Sequence, residues 1–226
     1  MSAPIPFQGF DERREVRFYH NGILPHWRQD GCTYFVTFRQ ADALPEPVIR
    51  EFKYEQNQWL QHHGIDPTVS DWRAALRRLS HADRRTYERL MASRLNDFLD
   101  AGHGSCALRR VDVARVVFNS LYHFHGERVL TGDSVVMPNH VHVLMRPLPG
   151  FELEEILQAI KSFTANRVNK LLQQDGQFWM RESYDHIVRD YEQLEAFQRY
   201  IAANPQKAGL SSDACLHRRA IYSPDE

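Results

Sequence analysis

A chain of 226 residues with net charge −1 and 42% hydrophobic side chains is long enough to bury a substantial core and favours one domain. It has no apolar stretch of bilayer-crossing length and no basic N-terminal region followed by an apolar one, so we expect a cytoplasmic protein with no membrane partner. Cys32, Cys106 and Cys215 lie far apart and outside any CxxC pattern, which predicts free thiols. The near-neutral charge lacks the basic excess of many nucleic-acid binders.

The first hundred residues divide into three parts. Residues 1–27 are polar without clear periodicity and are interpreted as an arm. Residues 32–39 are β-branched and aromatic, which predicts a buried strand. Residues 46–104 are interpreted as a helical insertion, with helices starting near Pro47, after Asp71 and near Ala82. The arginines between positions 73 and 89 form either a DNA-contacting patch or a solvated helical face.

The second half alternates helices and strands. Apolar spacing predicts a helix over 111–124, and a proline–asparagine turn separates strands at 128–137 and 140–146 into a hairpin. A helix over 152–173 and a strand at 183–188 follow. Asp190 is a good N-cap for a last helix, which is expected to end near Asn204 because Pro205 follows. This order predicts an α+β fold, an antiparallel sheet with helices packed on it.

His140 and His142 are the first candidates for chemistry. In a strand, alternate side chains share a face, so both imidazoles point the same way while Val141 and Val143 point into a core. Two imidazoles on a rigid strand can hold one transition-metal ion and leave positions for a third ligand and a substrate oxygen. The alternative is that both lie on a solvated strand face.

Tyr200 and Asn204 are four residues apart on the last helix and therefore neighbours on its surface. A phenol is a poor nucleophile at neutral pH, but a metal bound by His140 and His142 could polarise a phosphate in line with it. Asn204 could supply a third metal ligand through its side-chain oxygen. The alternatives are a tyrosine that only buries its ring and an asparagine that only ends the helix.

The motifs in this half resemble those of the REP-associated tyrosine transposases, which belong to the single-tyrosine HUH transposases of insertion-sequence type. The resemblance is carried, in order, by residues 137–142 (MPNHVH), 161–164 (KSFT), 178–179 (FW), 184–190 (YDHIVRD) and 200–210 (YIAANPQKAGL). It is strong from about Leu108 to Leu210. It extends more loosely to residues 24–28 and 34–38.

The resemblance implies a ferredoxin-like fold across a single transposase-like domain, residues 1–226. It also implies a 5′-phosphotyrosine intermediate and a divalent metal, Mg²⁺ or Mn²⁺. The implied partner is single-stranded or hairpin DNA, folded from a repetitive extragenic palindrome (REP) with a short flanking tag. By motif position, His140 and His142 match the metal ligands, Tyr200 the nucleophile and Asn204 a polar residue one turn later.

Arg146, Arg181 and Arg189 are candidates for contacts with DNA phosphates. The oligomeric state is left open between monomer and homodimer. Two other functions also stay open at this point: a protein that binds DNA or RNA hairpins without cutting them, and a metal-dependent RNA nuclease.

Overall fold

The computed structural model describes residues 3–19, 26–211 and 214–224, so Leu24 and Pro25 of the loosely similar segment lie outside the described residues. The described elements, in chain order, are β1 (Ile5–Phe7), β2 (Arg17–Tyr19), β3 (His26–Arg28), β4 (Tyr34–Arg39), α1 (Glu46–His62), α2 (Trp72–Arg78), α3 (His81–Asp100), α4 (Val111–Leu121), β5 (Val129–Val136), β6 (His140–Pro147), α5 (Leu153–Leu172), β7 (Tyr184–Ile187), α6 (Tyr191–Lys207), β8 (Leu216–Arg218) and β9 (Tyr222–Pro224).

The chain forms two compact units. One contains Met1–Ala41 and Ser105–Glu226, and the other contains Asp42–Gly104. The helical insertion predicted at 46–104 falls within the second unit.

The first unit is built on a five-stranded sheet in the order β7-β4-β6-β5-β8, with every neighbouring pair antiparallel. The strands β4, β5, β6 and β7, with α4 after β4 and α5 after β6, follow the βαββαβ pattern of a ferredoxin-like fold. The α+β fold and the hairpin predicted from the sequence are confirmed. The strand β6 lies at the centre of the sheet, which buries both of its faces.

The two faces of the sheet carry different helices because strand side chains alternate. Val36, Phe38, Val141 and Val143 belong to one buried cluster, whose other members come mainly from α4 and α5. Phe35, Val135 and Leu144 project from the opposite face into a second cluster with Leu194 and Ile201 of α6. The histidines at 140 and 142 share the parity of Leu144 and therefore lie on the α6 face.

The N-terminal arm contains short strands that the sequence pattern did not predict. The strand β1 pairs with β9, and β2 pairs with β3. Arg28 of β3 forms an ion pair with Asp185 of β7 and hydrogen bonds to Glu154 at 2.7 Å. Burial alone would raise the pKa of Asp185, but hydrogen bonds from His26 and Arg28 hold it below its usual value. The arm is thereby fixed to the edge of the sheet.

The second unit contains α1, α2 and α3. Its main apolar cluster includes Leu60, Ile65, Tyr87 and Met91, and Gln56 donates to the Tyr87 hydroxyl at 2.7 Å. The three helices predicted for this region are confirmed in number and order.

The last helix, α6, begins where the sequence predicts and ends later than predicted. Asp190 caps α6 by accepting a bond from the Gln193 amide at 2.7 Å, as predicted. The predicted end of this helix near Asn204 is wrong, because α6 continues to Lys207 with Pro205 inside it. A proline here removes one amide donor, yet the Leu210 amide still bonds to the Pro205 carbonyl at 2.9 Å and closes the last turn.

The three cysteines are free thiols, as predicted. Among the described residues, no helix combines the length and the apolarity that a bilayer crossing requires.

Candidate active site

The histidine pair lies in the middle of the sheet. In the register between β4 and β6, His142 is opposite Thr37 and His140 is opposite Arg39. Both imidazoles are fully buried. The solvated strand face that the sequence left open is therefore excluded, and the shared orientation predicted from strand alternation is confirmed.

Hydrogen bonds hold each imidazole in one orientation. The Nδ1 of His140 lies 2.7 Å from the Oδ1 of Asn139, and the Nδ1 of His142 lies 2.7 Å from the Oγ1 of Thr37. An amide oxygen can only accept, so Nδ1 of His140 carries the proton and its Nε2 keeps a lone pair. The two Nε2 atoms are 3.0 Å apart. The Nε2 atoms of His140 and His142 are therefore close enough to contact the same ligand.

Burial keeps both imidazoles neutral. It lowers the pKa of His140 to about 3, although contact with Asn204 acts in the opposite direction. It also lowers the pKa of His142 well below its ordinary value, and the proximity of His140 and of the Lys207 ammonium lowers it further. Neutral imidazole is the form that coordinates metal ions.

Tyr200 projects from α6 toward the histidines. Its hydroxyl lies 3.4 Å from the Nε2 of His142, and its ring packs edge-on against Phe35 with centroids 5.8 Å apart. The ammonium group of Lys207 lies 4.8 Å from the centroid of the tyrosine ring. The half-buried phenol therefore has a rigid apolar support, a histidine at its hydroxyl and a cation beside its ring.

Asn204 lies one helical turn after Tyr200 and is fully buried. Neither its Oδ1 nor its Nδ2 makes a hydrogen bond to any residue that the structure describes. The contact with His140 affects the pKa of that imidazole but does not have hydrogen-bond geometry. A buried amide without a partner costs roughly 1–3 kcal/mol, so this side chain is stabilised by any ligand that engages it.

The residues around this point fit a divalent cation. At metal–nitrogen distances of roughly 2.1 Å, two ligands at a right angle are about 3 Å apart, as the Nε2 atoms of His140 and His142 are. The oxygen of Asn204 is a suitable additional donor of the kind that hard cations accept.

Three further residues of the site were not predicted from the sequence. Thr37 and Asn139 orient the imidazoles, and Arg39 lies opposite His140 with its Nη1 buried and without a hydrogen bond among the described residues. Burial lowers the pKa of Arg39, and the nearby charge of Glu182 acts in the opposite direction. Asn139 precedes His140 in the chain, whereas only the pairing register of β4 with β6 brings Thr37 and Arg39 opposite the histidines, and that register is not readable from β4 alone.

Arg146, the first of the predicted DNA-binding residues, is four residues beyond His142 on the same face of β6, about 13 Å along the strand. Its guanidinium donates to the Pro6 carbonyl at 2.6 Å and to the Oε1 of Gln8 at 3.2 Å. In this structure Arg146 fastens the N-terminal strand to the sheet, and its contact with DNA stays a prediction.

Arg181 and Arg189 flank β7. The carbonyl of Arg181 accepts a bond from Lys161 at 2.7 Å, and its side chain is exposed. Arg189 is half-buried; burial lowers the pKa of His186 to about 4, and the charge of Arg189 lowers it further. Contacts of either arginine with DNA also stay predictions. The described contacts bring His140, His142, Tyr200 and Asn204 together, but not these arginines.

The site brings a buried histidine pair on the central strand of a ferredoxin-like sheet to a tyrosine on the covering helix. Residues 125–204 match the family model for IS200-like transposases (Y1_Tnp). Residues 125–204, which contain β5, β6, α5, β7 and most of α6, are therefore similar to IS200-like transposases, and the resemblance to transposases seen in the sequence motifs is confirmed over this segment.

Two solved structures are similar to this chain. One is the REP-associated tyrosine transposase bound to a REP hairpin, with 12% identity, a TM-score of 0.43, and coverage of 84% of this chain and 76% of that chain. The other is named as a transposase of Deinococcus radiodurans R1, with 13% identity, a TM-score of 0.25, and coverage of 76% and 89%. No curated protein matches the chain.

Proposed function

We propose that this protein is a metal-dependent endonuclease and strand transferase that acts on single-stranded DNA through a 5′-phosphotyrosine link at Tyr200. The observation that carries the proposal is the approach of the Tyr200 hydroxyl to within 3.4 Å of the Nε2 of His142, which is itself 3.0 Å from the Nε2 of His140. A nucleophile and two metal-ligating nitrogens thus meet at one point of a single chain.

His140, His142 and Asn204 are the residues that would hold the cation. Mg²⁺ prefers a shell of oxygen atoms, whereas Mn²⁺ accepts imidazole more readily, so two histidine ligands favour Mn²⁺ over Mg²⁺. When bound, such a cation would polarise the scissile phosphate and offset the negative charge that builds on it. Since Nε2 of His142 cannot be both a ligand and a base, we assign it as a ligand.

The chain's own residues position and stabilise the nucleophile. Phe35 fixes the ring of Tyr200, and the ammonium of Lys207 offsets the negative charge on the phenolic oxygen as its proton leaves to solvent. The oxygen attacks phosphorus and forms one phosphodiester bond while the bond to the 3′-oxygen breaks, and that oxygen takes up a proton. The bond energy is kept in the phosphotyrosine, so rejoining requires no nucleotide cofactor.

We propose a hairpin folded from a repetitive extragenic palindrome as the substrate. Support comes from the family motifs in the sequence and from the similarity of residues 125–204 to IS200-like transposases. Arg39 pairs with His140 in the register of β4 with β6, and its buried Nη1 has no hydrogen bond among the described residues, which makes it a candidate donor to a DNA phosphate. Because one chain supplies every side chain of the site, the geometry supports cleavage in cis.

The test is incubation with a labelled single-stranded hairpin oligonucleotide and Mn²⁺, followed by a denaturing gel. We expect a covalent protein–DNA band that Tyr200→Phe abolishes while hairpin binding persists. Tyr191→Phe, an exposed tyrosine on the same helix, is the matched control and should keep the band.

An undiminished band in Tyr200→Phe would contradict the assignment of the nucleophile. Hairpin binding without an adduct under any divalent metal would instead identify a non-cleaving binding protein. Preferential cleavage of an RNA hairpin would instead identify a metal-dependent RNA nuclease.

A further inference from the structure

The helical unit contains a segment whose charge differs from that of the rest of the chain. Residues 71–89, which cover α2 and the first half of α3, contain no lysine, three acidic residues and six arginines: Arg73, Arg77, Arg78, Arg84, Arg85 and Arg89. The six arginines and three acidic residues give this segment a net charge of +3 in a chain whose net charge is −1. Such a charge asymmetry indicates a surface for an anionic partner.

The helix α3 has one side that packs and one side that faces solvent. Tyr87 and Met91 are buried in the apolar cluster of this unit. With about 3.6 residues per turn, Arg85 and Arg89 lie on the opposite side of the helix, one turn apart. Both arginines are exposed. The packing of the unit therefore does not use them.

The arginines on the two sides of α3 differ in their partners. Arg94, on the packed side, donates to the Oε2 of Glu55 at 2.6 Å and forms an ion pair with the same carboxylate. Arg85 and Arg89 make neither a hydrogen bond nor an ion pair with a side chain that the structure describes. Their charges are thus available to a partner outside the chain.

Helix stability does not account for Arg85 and Arg89. Like charges four residues apart on a helix repel each other, so the pair is unfavourable while no anion is bound. Both arginines lie in the N-terminal half of α3, where the helix dipole does not stabilise a cation. Arg77 and Arg78, by contrast, end α2, where the dipole does stabilise them. The pair on α3 is therefore the part of the segment that points to a ligand.

The surroundings of Arg85 and Arg89 suit contact with a DNA backbone. The other positions on this side of α3 carry short, uncharged side chains: Ala82, Ala92, Ser93 and Asn96. We call the six residues the α3 arginine face. Short neighbours let a long, rigid polymer approach both guanidinium groups. None of the four neighbours is aromatic, whereas surfaces that bind single strands combine cations with rings on which bases stack.

We infer that the α3 arginine face binds the phosphate backbone of duplex DNA without regard to sequence. The inference rests on the proposed function for the identity of the polyanion. It gives the helical unit a DNA contact of its own, which requires neither a hairpin nor a metal. Phosphates recur every ~3.4 Å along the axis of each strand, so two arginines about 6 Å apart on a helix can each donate to one.

The experiment measures fluorescence anisotropy of a labelled blunt duplex of about 16 base pairs without a palindrome, in the presence of a chelator and at several salt concentrations. Each arginine–phosphate contact adds about one to the slope of log affinity against log salt. Arg85→Gln/Arg89→Gln should therefore lower that slope by about two and weaken binding at least about tenfold at low salt. Arg85→Lys/Arg89→Lys keeps both charges and should keep the slope.

Arg50→Gln/Lys53→Gln is the matched control, because it removes two exposed cations from α1 of the same unit. It changes the net charge of the protein by the same amount but leaves the α3 arginine face unaltered. Its salt slope should stay near that of the unaltered protein.

Two results would overturn the inference: an unchanged slope in Arg85→Gln/Arg89→Gln, or an equal loss in the control. An equal loss of affinity for a single thymidine strand of the same length would overturn the assignment to duplex DNA. Binding of the duplex requires no covalent step. Duplex binding through Arg85 and Arg89 without any tyrosine adduct would therefore refute only the proposed chemistry, and an adduct with unchanged duplex binding in the glutamine variant would refute only the α3 arginine face.

Discussion

His140 and His142 couple the site to the stability of the fold. Histidine has an ordinary pKa of about 6.5, but burial lowers the pKa of His140 to about 3 and that of His142 well below its ordinary value. When the protein unfolds in mild acid, both residues take up protons that the native state excludes. The sheet therefore stabilises the neutral imidazoles at the expense of acid stability.

The sign of the effect follows from linkage. Below about pH 6.5 the unfolded state binds the proton and the native state does not, so the free energy of unfolding falls by about 1.4 kcal/mol per pH unit for each such histidine. For His140 this loss continues down to about pH 3. In the presence of a chelator, urea denaturation between pH 6.5 and 4.5 should show this fall in the free energy of unfolding. His142→Gln should make the dependence of that free energy on pH shallower, by close to the contribution of one proton.

His123→Gln is the control for this experiment, because His123 is exposed and outside the site. It should leave the slope near that of the unaltered protein. An unchanged slope in His142→Gln would show that His142 is already charged in the native state and would contradict its assignment as a neutral metal ligand.

At the scale of single elements, the bulge in β5, where the register with β6 shifts between Thr131 and Ser134, contacts the short strand β9. A side-chain carbon at Gly132 would overlap the Tyr222 hydroxyl, and that hydroxyl accepts a bond from the Asp133 amide at 3.4 Å. Tyr222 begins β9, which pairs with β1. The bulge thus requires glycine because another strand's aromatic ring occupies the space.

Gly132→Ala should destabilise the protein by about 1–3 kcal/mol, because Tyr222 must move away from the bulge. Urea denaturation measures the change. Tyr222→Ala removes the obstructing ring, so the double variant should lose less stability than the sum of the two single variants. Strict additivity of the two losses would show that the glycine is not required by this contact.

The sequence predicted those elements whose pattern repeats. Strand alternation placed both histidines on one face, and helical spacing placed Asn204 next to Tyr200. The three-residue strands β1, β2, β3, β8 and β9 escaped prediction because they are too short to show periodicity. Pro205 led to a wrong prediction of the end of α6, because packing of this helix on the sheet outweighs the loss of one amide donor. Arg39 and Thr37 could be assigned to the site only from the pairing of β4 with β6.

At the scale of the whole molecule, residues 42–104 interrupt the chain of the sheet unit, and the residues of that unit on the two sides of the interruption lie close together. The Nε2 of Gln40 donates to the Oγ of Ser105 at 3.4 Å, so the chain leaves and re-enters the sheet unit at one place. Within the helical unit, the Asp42 backbone lies against Gly104. Adjacent ends are the condition under which an insertion can be removed without breaking the host fold.

We therefore expect a shortened chain, in which a few glycines join Ala41 to Ser105, to fold by itself. Its five strands, α4, α5 and α6 keep their own buried clusters, and a short loop costs less closure entropy than a long one. Circular dichroism should show cooperative thermal unfolding, as in the full chain. Loss of the cooperative transition would mean that the sheet unit requires residues 42–104 in order to fold. A covalent DNA adduct at Tyr200 in the shortened chain would place the proposed chemistry entirely within the sheet unit.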